Sequence, residues 1–171
     1  IILAWCVFSF LFWRKLRAEG IQEQQVFDLM FYSTLTSLVA ARVGFVVTHG
    51  SLFTDNMLKT IALWVQPGLS FYSGFIALLL SLLYLGRTYK VRVGLLLDVI
   101  AISLPVSLVI GKIGSFLDGS EIGILADTAW AVQYVGHAGG RHPIQLYEIL
   151  ALVVLGIVLR VADRRAGKEK W

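Results

Sequence analysis

Long apolar blocks separated by short basic clusters constrain this chain more than any other feature of its sequence. Five blocks stand out: Ile1 to about Trp13, about Val26 to Val47, about Leu69 to Leu85, about Val93 to Ile113, and about Pro143 to Val161. All but the first have the length and composition of membrane-spanning helices. A backbone inside lipid must satisfy its own polar groups, so such blocks form helices. Hydrophobic residues make up 57% of the 171-residue chain and mean hydropathy is +0.76, above the usual share for a water-soluble domain. The expected fold is all-α, a polytopic transmembrane helix bundle with irregular outer-face loops, forming one domain over residues 1–171. The first residue is Ile, with the first block already under way, so the start reads as truncated or processed. No internal repeat or low-complexity tract interrupts the pattern.

The cations give the expected orientation. Arg14, Lys15 and Arg17 follow the first block, Arg87, Lys90 and Arg92 the third, and Arg160, Arg164, Arg165, Lys168 and Lys170 the fifth. These eleven of the fifteen Lys and Arg residues sit at alternate ends of successive blocks, which the positive-inside rule places in the cytoplasm. Loops at about 48–68 and 114–142 then face outward, and the C-terminus lies inside. The net charge of +4 is explained by these clusters rather than by a nucleic-acid surface. Cys6 is the single cysteine, so no internal disulfide exists. The stretch 56–65 carries Met57, Leu58, Ile61, Ala62 and Val65 at helical spacing; such a helix either lies in the outer interface or covers the bundle. Trp64 and Trp130 suit the interfacial aromatic belt.

Four cations fall outside the cytoplasmic clusters: Arg42, Lys59, Lys112 and Arg141. Lys59 reads as a solvated loop charge. Charged groups at membrane depth usually mark a site. Arg42 lies inside the second block and needs an interior partner, either a structural ion pair or a substrate phosphate; the structural role is favoured. Asp98 is expected to make an interhelical hydrogen bond. Lys112 belongs to the glycine-spaced run Gly111-Lys112-Ile113-Gly114-Ser115-Phe116-Leu117-Asp118-Gly119-Ser120-Glu121-Ile122-Gly123, which reads as a close-packed loop able to turn N–H groups toward an anion. Asp118 and Glu121 would repel a phosphate, so at least one is expected to pair with Lys112 or Arg141. Arg141-His142-Pro143-Ile144-Gln145-Leu146-Tyr147-Glu148 opens the fifth block. Pro143 suits a first helical turn, which sets His142 near the cap, beside free N–H groups and the positive end of the dipole. A guanidinium there suits a phosphate; the alternative is an arginine reaching toward lipid headgroups. Gly68-Leu69-Ser70-Phe71-Tyr72-Ser73-Gly74 places Tyr72 at the outer end of the third block, as hydrogen-bond donor, proton carrier or interfacial anchor. No cysteine or histidine spacing suggests a metal, and no cofactor motif is present.

Taken together, these residues resemble the prolipoprotein diacylglyceryl transferase family. Arg141 through Glu148 match its Arg-His-Pro-x-Gln-Leu-Tyr-Glu signature. Gly111 through Gly123 match its glycine loop in outline, and Ala41-Arg42-Val43-Gly44-Phe45 and Ser70 to Gly74 look like two further motifs. Tyr72 stands where the family has His, Lys112 where it has Arg, Ser115 where Asn or Cys is usual, Asp118 where Asn is common, and Ser120 where Glu or Cys is common. The resemblance implies seven spans in a bacterial inner membrane, with the start of the first and the last lying outside this sequence. It also implies transfer of a diacylglyceryl group from phosphatidylglycerol to the lipobox cysteine of a preprolipoprotein signal peptide, giving a thioether and glycerol phosphate. No cofactor, metal or nucleic-acid partner is expected. The residues then expected at the chemistry are Arg141, His142, Tyr72 and Glu148. Substrate binding falls to Lys112, Arg42, Gly111, Gly114, Ser115, Asp118, Gly119, Gln145 and Tyr147. A homologue that has lost catalysis and binds lipid or signal peptide is the alternative, ahead of a small anion or lipid transporter.

Overall fold

A computed structural model of the protein describes residues 2–54 and 56–168, with side chains to 165. Five α-helices account for most of it: α1 (Ile2–Ala18), α2 (Glu23–Thr48), α3 (Phe71–Thr88), α4 (Val93–Asp118) and α5 (Ile144–Lys168). Among them, α2, α3, α4 and residues Ile144–Arg165 of α5 are long and apolar enough to cross a membrane. The described residues form no strand, only two isolated antiparallel bridges. Ile1 and Lys170, named above in the first block and the last basic cluster, lie outside the described residues.

Several helices run beyond the apolar blocks. α1 continues through Arg14, Lys15 and Arg17, and α4 continues to Asp118. The first half of the glycine-spaced run is therefore helical, not a loop. Gly111 and Gly114 are isolated glycines, which cost a helix about 1 kcal/mol each against Ala and do not end one that neighbouring residues continue. The stop comes at Gly119, whose φ of 65° lets Ser120 N–H return to the Ser115 carbonyl at 3.3 Å, a left-handed helix cap.

The chain separates into two compact units, Leu16–Leu96 and Ile1–Lys15 with Leu97–Trp171. In the first, α2 and α3 pack through small residues. Ser37 Oγ donates to the Gly74 carbonyl at 2.9 Å, and Ser70 N–H donates to the Ala41 carbonyl at 2.9 Å. A Cβ on Gly74 would sit 3.0 Å from Ala41 Cβ, and one on Gly44 would sit 2.1 Å from Ser73 Oγ. Ser37, Ala41 and Gly44 share one helix face, the small-residue stripe by which helices approach closely in lipid.

Tyr89, just past α3, donates to Asp28 Oδ2 at 3.0 Å. This bond raises the phenol above its usual pKa, with some desolvation adding to it. A raised pKa means that the folded state favours the protonated phenol. Its contribution is therefore complete below the unfolded value of about 10 and is lost as pH climbs through the folded one. Alkaline thermal denaturation should show this loss in the parent and a flatter profile in Tyr89→Phe; identical profiles would argue that the bond does not hold.

In the second unit α1 and α5 lie side by side at their C-terminal ends, where Lys15 Nζ meets Asp163 Oδ2 at 2.9 Å. Two of the basic clusters therefore share one end of this unit. Near the other end Ala4 of α1 approaches Gly111 of α4 (a Cβ there would be 3.9 Å away), and Gly156 of α5 faces Pro105 inside α4. Asp98 is exposed, in a groove with Ala101, Ile102, Leu159, Ala162 and Asp163. The expected interhelical hydrogen bond is not formed among the described residues.

The stretch 56–65 differs from the expected helix. It forms one 3₁₀ turn, Met57–Thr60, capped by Asn56 Oδ1 accepting from Leu58 N–H at 2.9 Å, followed by further turns. Met57, Leu58, Ile61, Trp64 and Val65 are exposed, which favours an interfacial position over packing on the helices.

Candidate active site

Arg141 is fixed by its backbone first. Its N–H donates to Val132 at 3.0 Å and its carbonyl accepts from Val132 N–H at 2.9 Å. On the opposite side Ala126 N–H donates to the Gly140 carbonyl at 2.9 Å and His142 N–H to the Ile124 carbonyl at 3.1 Å. Three short extended pieces thus form a small lattice with Arg141 in its middle. The guanidinium Nη1 donates to the Gly123 carbonyl at 3.0 Å, while Nε is buried with no partner among the described residues. An unpaired buried donor on a cation is costly, and it leaves Arg141 with capacity for a further acceptor.

Gly123 makes the lattice possible. A Cβ there would lie 2.1 Å from the His142 carbonyl oxygen and 3.0 Å from its carbon. Only a residue without a side chain lets these two backbones meet.

Lys112, in the last two turns of α4, is surrounded by carboxylates. Nζ lies 2.9 Å from each Glu121 oxygen and 2.6 Å from Glu148 Oε2. The Glu148 contact is an ion pair. An ammonium has three N–H groups, so these contacts leave it little capacity for a phosphate. The expected pairing of Glu121 with Lys112 is present; Glu148 is a second partner that the sequence did not announce.

The first turns of α5 divide their labour. Gln145 is fully buried. Its amide donates to the Glu121 carbonyl and its Oε1 accepts from Tyr134 Oη at 3.2 Å, so it fastens the 119–143 loop to the helix. Tyr147 Oη lies 2.8 Å from His142 Nδ1 and accepts from Trp130 Nε1 at 2.7 Å. Trp130 had no role beyond the aromatic belt in the sequence reading, because nothing in a loop tryptophan seventeen positions away announces this bond. Gly111 and Gly114 lie on α4, with Ser115 half-buried beside them and Asp118 exposed at the helix end. Gly119 serves the helix stop.

In the other unit Arg42 is buried and nearly saturated. Nε donates to the Thr60 carbonyl at 2.7 Å, Nη1 to Gln66 at 2.9 Å and Gly68 at 3.0 Å, and Nη2 to Lys59 at 2.6 Å. The guanidinium also lies 5.8 Å from the Phe45 ring centre and 5.3 Å from that of Phe53. Its partners are carbonyls, not the carboxylate of an ion pair. These bonds tie residues 59–68 to α2. Tyr72 is 79% exposed on the first turn of α3.

Membrane-length helices, with a cation and carboxylate cluster at the end of two of them, define a multi-pass membrane protein with a charged cluster at a helix terminus. A sequence model of the prolipoprotein diacylglyceryl transferase family matches residues 1–170, and the chain belongs to that family. Relatives named phosphatidylglycerol–prolipoprotein diacylglyceryl transferase include one from Geobacter sulfurreducens, 31% identical over 161 residues (91% of this chain, 62% of the relative). The Methylococcus capsulatus relative is 34% identical over 146 residues (83% and 55%), and that of Photobacterium profundum 33% over 156 (87% and 58%). The chain thus spans between about half and three-fifths of these relatives' length.

Proposed function

We propose that this protein transfers the diacylglyceryl group of phosphatidylglycerol to the lipobox cysteine of preprolipoproteins, at the outer face of a bacterial inner membrane with the C-terminus inside. The observation that carries the reading is Arg141, whose backbone is locked and whose buried Nε lacks a partner. Family membership and the names of the relatives support it.

In the reaction the cysteine thiol loses its proton and the sulfur attacks the glyceryl carbon that bears the phosphate ester. A carbon–sulfur bond forms, the carbon–oxygen bond breaks, and glycerol phosphate leaves with the electron pair. Charge grows on the phosphate, where a fixed guanidinium stabilises it most in a site poor in water. The thiolate is the competent nucleophile; His142, Glu148 and Tyr72 are the candidates for taking its proton.

The full-length protein carrying this sequence, in phosphatidylglycerol vesicles with a lipobox peptide, should add a diacylglyceryl mass to the peptide. Arg141→Ala should lower the rate by about a hundredfold or more without changing thermal stability. An unchanged rate would remove Arg141 from the chemistry.

A second reading, a homologue that binds lipid or signal peptide without turnover, is favoured by two features: the carboxylates that occupy Lys112 and Tyr72 at the position of the family's His. An inactive parent restored by Tyr72→His would show lapsed catalysis on a competent scaffold, and no transfer in either would favour binding alone.

A further inference from the structure

Trp130, Tyr147 and His142 form a chain of hydrogen bonds whose direction is set at one end. An indole N–H can only donate, so at 2.7 Å Tyr147 Oη accepts from Trp130. The phenol proton then has His142 Nδ1 as its partner at 2.8 Å. The assignment that uses every proton once makes Nδ1 an acceptor and leaves the ring proton on Nε2. The tyrosine and histidine rings are tilted by 54° with centres 5.9 Å apart, so they meet at their polar edges, not face to face. The backbone of His142 is held as well, by its N–H on Ile124 and its carbonyl accepting from Ile144 N–H at 3.0 Å. A ring held at its backbone and at one nitrogen has only its second nitrogen to offer.

We infer that Trp130 and Tyr147 are positioning residues that hold His142 as a hydrogen-bond donor through Nε2, beside Arg141, for an anionic phosphate oxygen. The inference deepens the transferase reading and rests on it for the identity of the anion. It also assigns His142 a role different from that of a thiol base: a ring whose Nδ1 is taken and whose Nε2 carries the proton has no lone pair free to accept one. Thiol deprotonation then falls to another group.

Two experiments separate the inference from the transferase reading. The first needs no turnover. In ¹⁵N-histidine-labelled protein, with the His142 signals assigned by their loss in His142→Gln, Nδ1 should show the shift of an unprotonated, hydrogen-bonded nitrogen and Nε2 that of a protonated one. Tyr147→Phe should move the Nδ1 signal toward a free imidazole, and Trp130→Phe should move it in the same direction by less. A protonated Nδ1 in the parent, or no change in Tyr147→Phe, overturns the inference whether or not the protein is active. The second uses transfer. Glutamine can present an N–H near the position of Nε2 but cannot take a proton. His142→Gln should therefore keep transfer within about tenfold of the parent, as expected for retaining one hydrogen bond, while His142→Ala should fall by more than that. Equal loss in both variants overturns the donor role. An inactive parent overturns the anion-donor role in transfer, while the nitrogen shifts still decide the tautomer.

Discussion

Replacing Arg42 by alanine is expected to release the connection between α2 and α3 and to lower stability more than other single changes in that unit. Four carbonyls between Lys59 and Gly68 lose a charged donor together. A hydrogen bond to a charged group contributes about 1.5–3 kcal/mol. The four do not add, because these half-exposed carbonyls can turn toward water, so a loss of about 3–5 kcal/mol is expected, like that for breaking a buried ionic network. Arg42→Lys should recover only part of it. Lysine keeps the charge, but its donors radiate from one nitrogen and do not match a planar fork spread over carbonyls up to nine positions apart. Thermal unfolding in lipid vesicles and limited proteolysis between residues 57 and 68 would measure both. Unfolding and cleavage of Arg42→Ala indistinguishable from the parent would mean that the loop is held by something else.

Gly123→Ala is expected to have the largest effect on transfer among changes that touch no charge. The added methyl would fall 2.1 Å from the His142 carbonyl oxygen, and backbone cannot swing away as a side-chain tip can. The loop must separate from the start of α5. The Nη1 contact of Arg141, the Ile124–His142 bond and the Gln145–Glu121 bond then shift together. A displacement of about 1 Å in such positioning groups costs about a hundredfold in rate, and that loss is expected in the vesicle assay. The α2–α3 pair packs through its own small residues and should keep its proteolysis pattern. Transfer at the parental rate in Gly123→Ala would show that the contact is not maintained during turnover.

The sequence disclosed the helices because lipid allows few alternatives: apolar blocks of sufficient length have little choice but to be helical. It disclosed helix ends poorly. Gly111 to Asp118 look like loop residues, yet they lie on α4, because isolated glycines weaken a helix without ending it. The site was legible where charge had to be balanced. Glu121 on Lys112 follows from a cation and an anion nine positions apart near a membrane boundary. Arg42 was legible as a buried cation, but not its partners, since carbonyls seventeen to twenty-six positions away carry no sequence mark. Gln145 was readable as part of a motif, while its burial depends on how residues 119–143 fold over it. The Trp130 bond to Tyr147 was invisible for the same reason.

The length of α4 supplies a ruler. Its 26 residues rise about 39 Å, against a hydrocarbon layer of about 30 Å. Lys112 is six residues from the helix's last residue, Asp118, or about 9 Å along the axis. A helix set flush with the hydrocarbon at its first residue would therefore carry the Lys112 ammonium and its two carboxylates at the level where acyl chains give way to glycerol. On that placement the Lys112 cluster lies at the height of the headgroup boundary of one leaflet, and whatever moves in the plane of that leaflet passes it without leaving the bilayer.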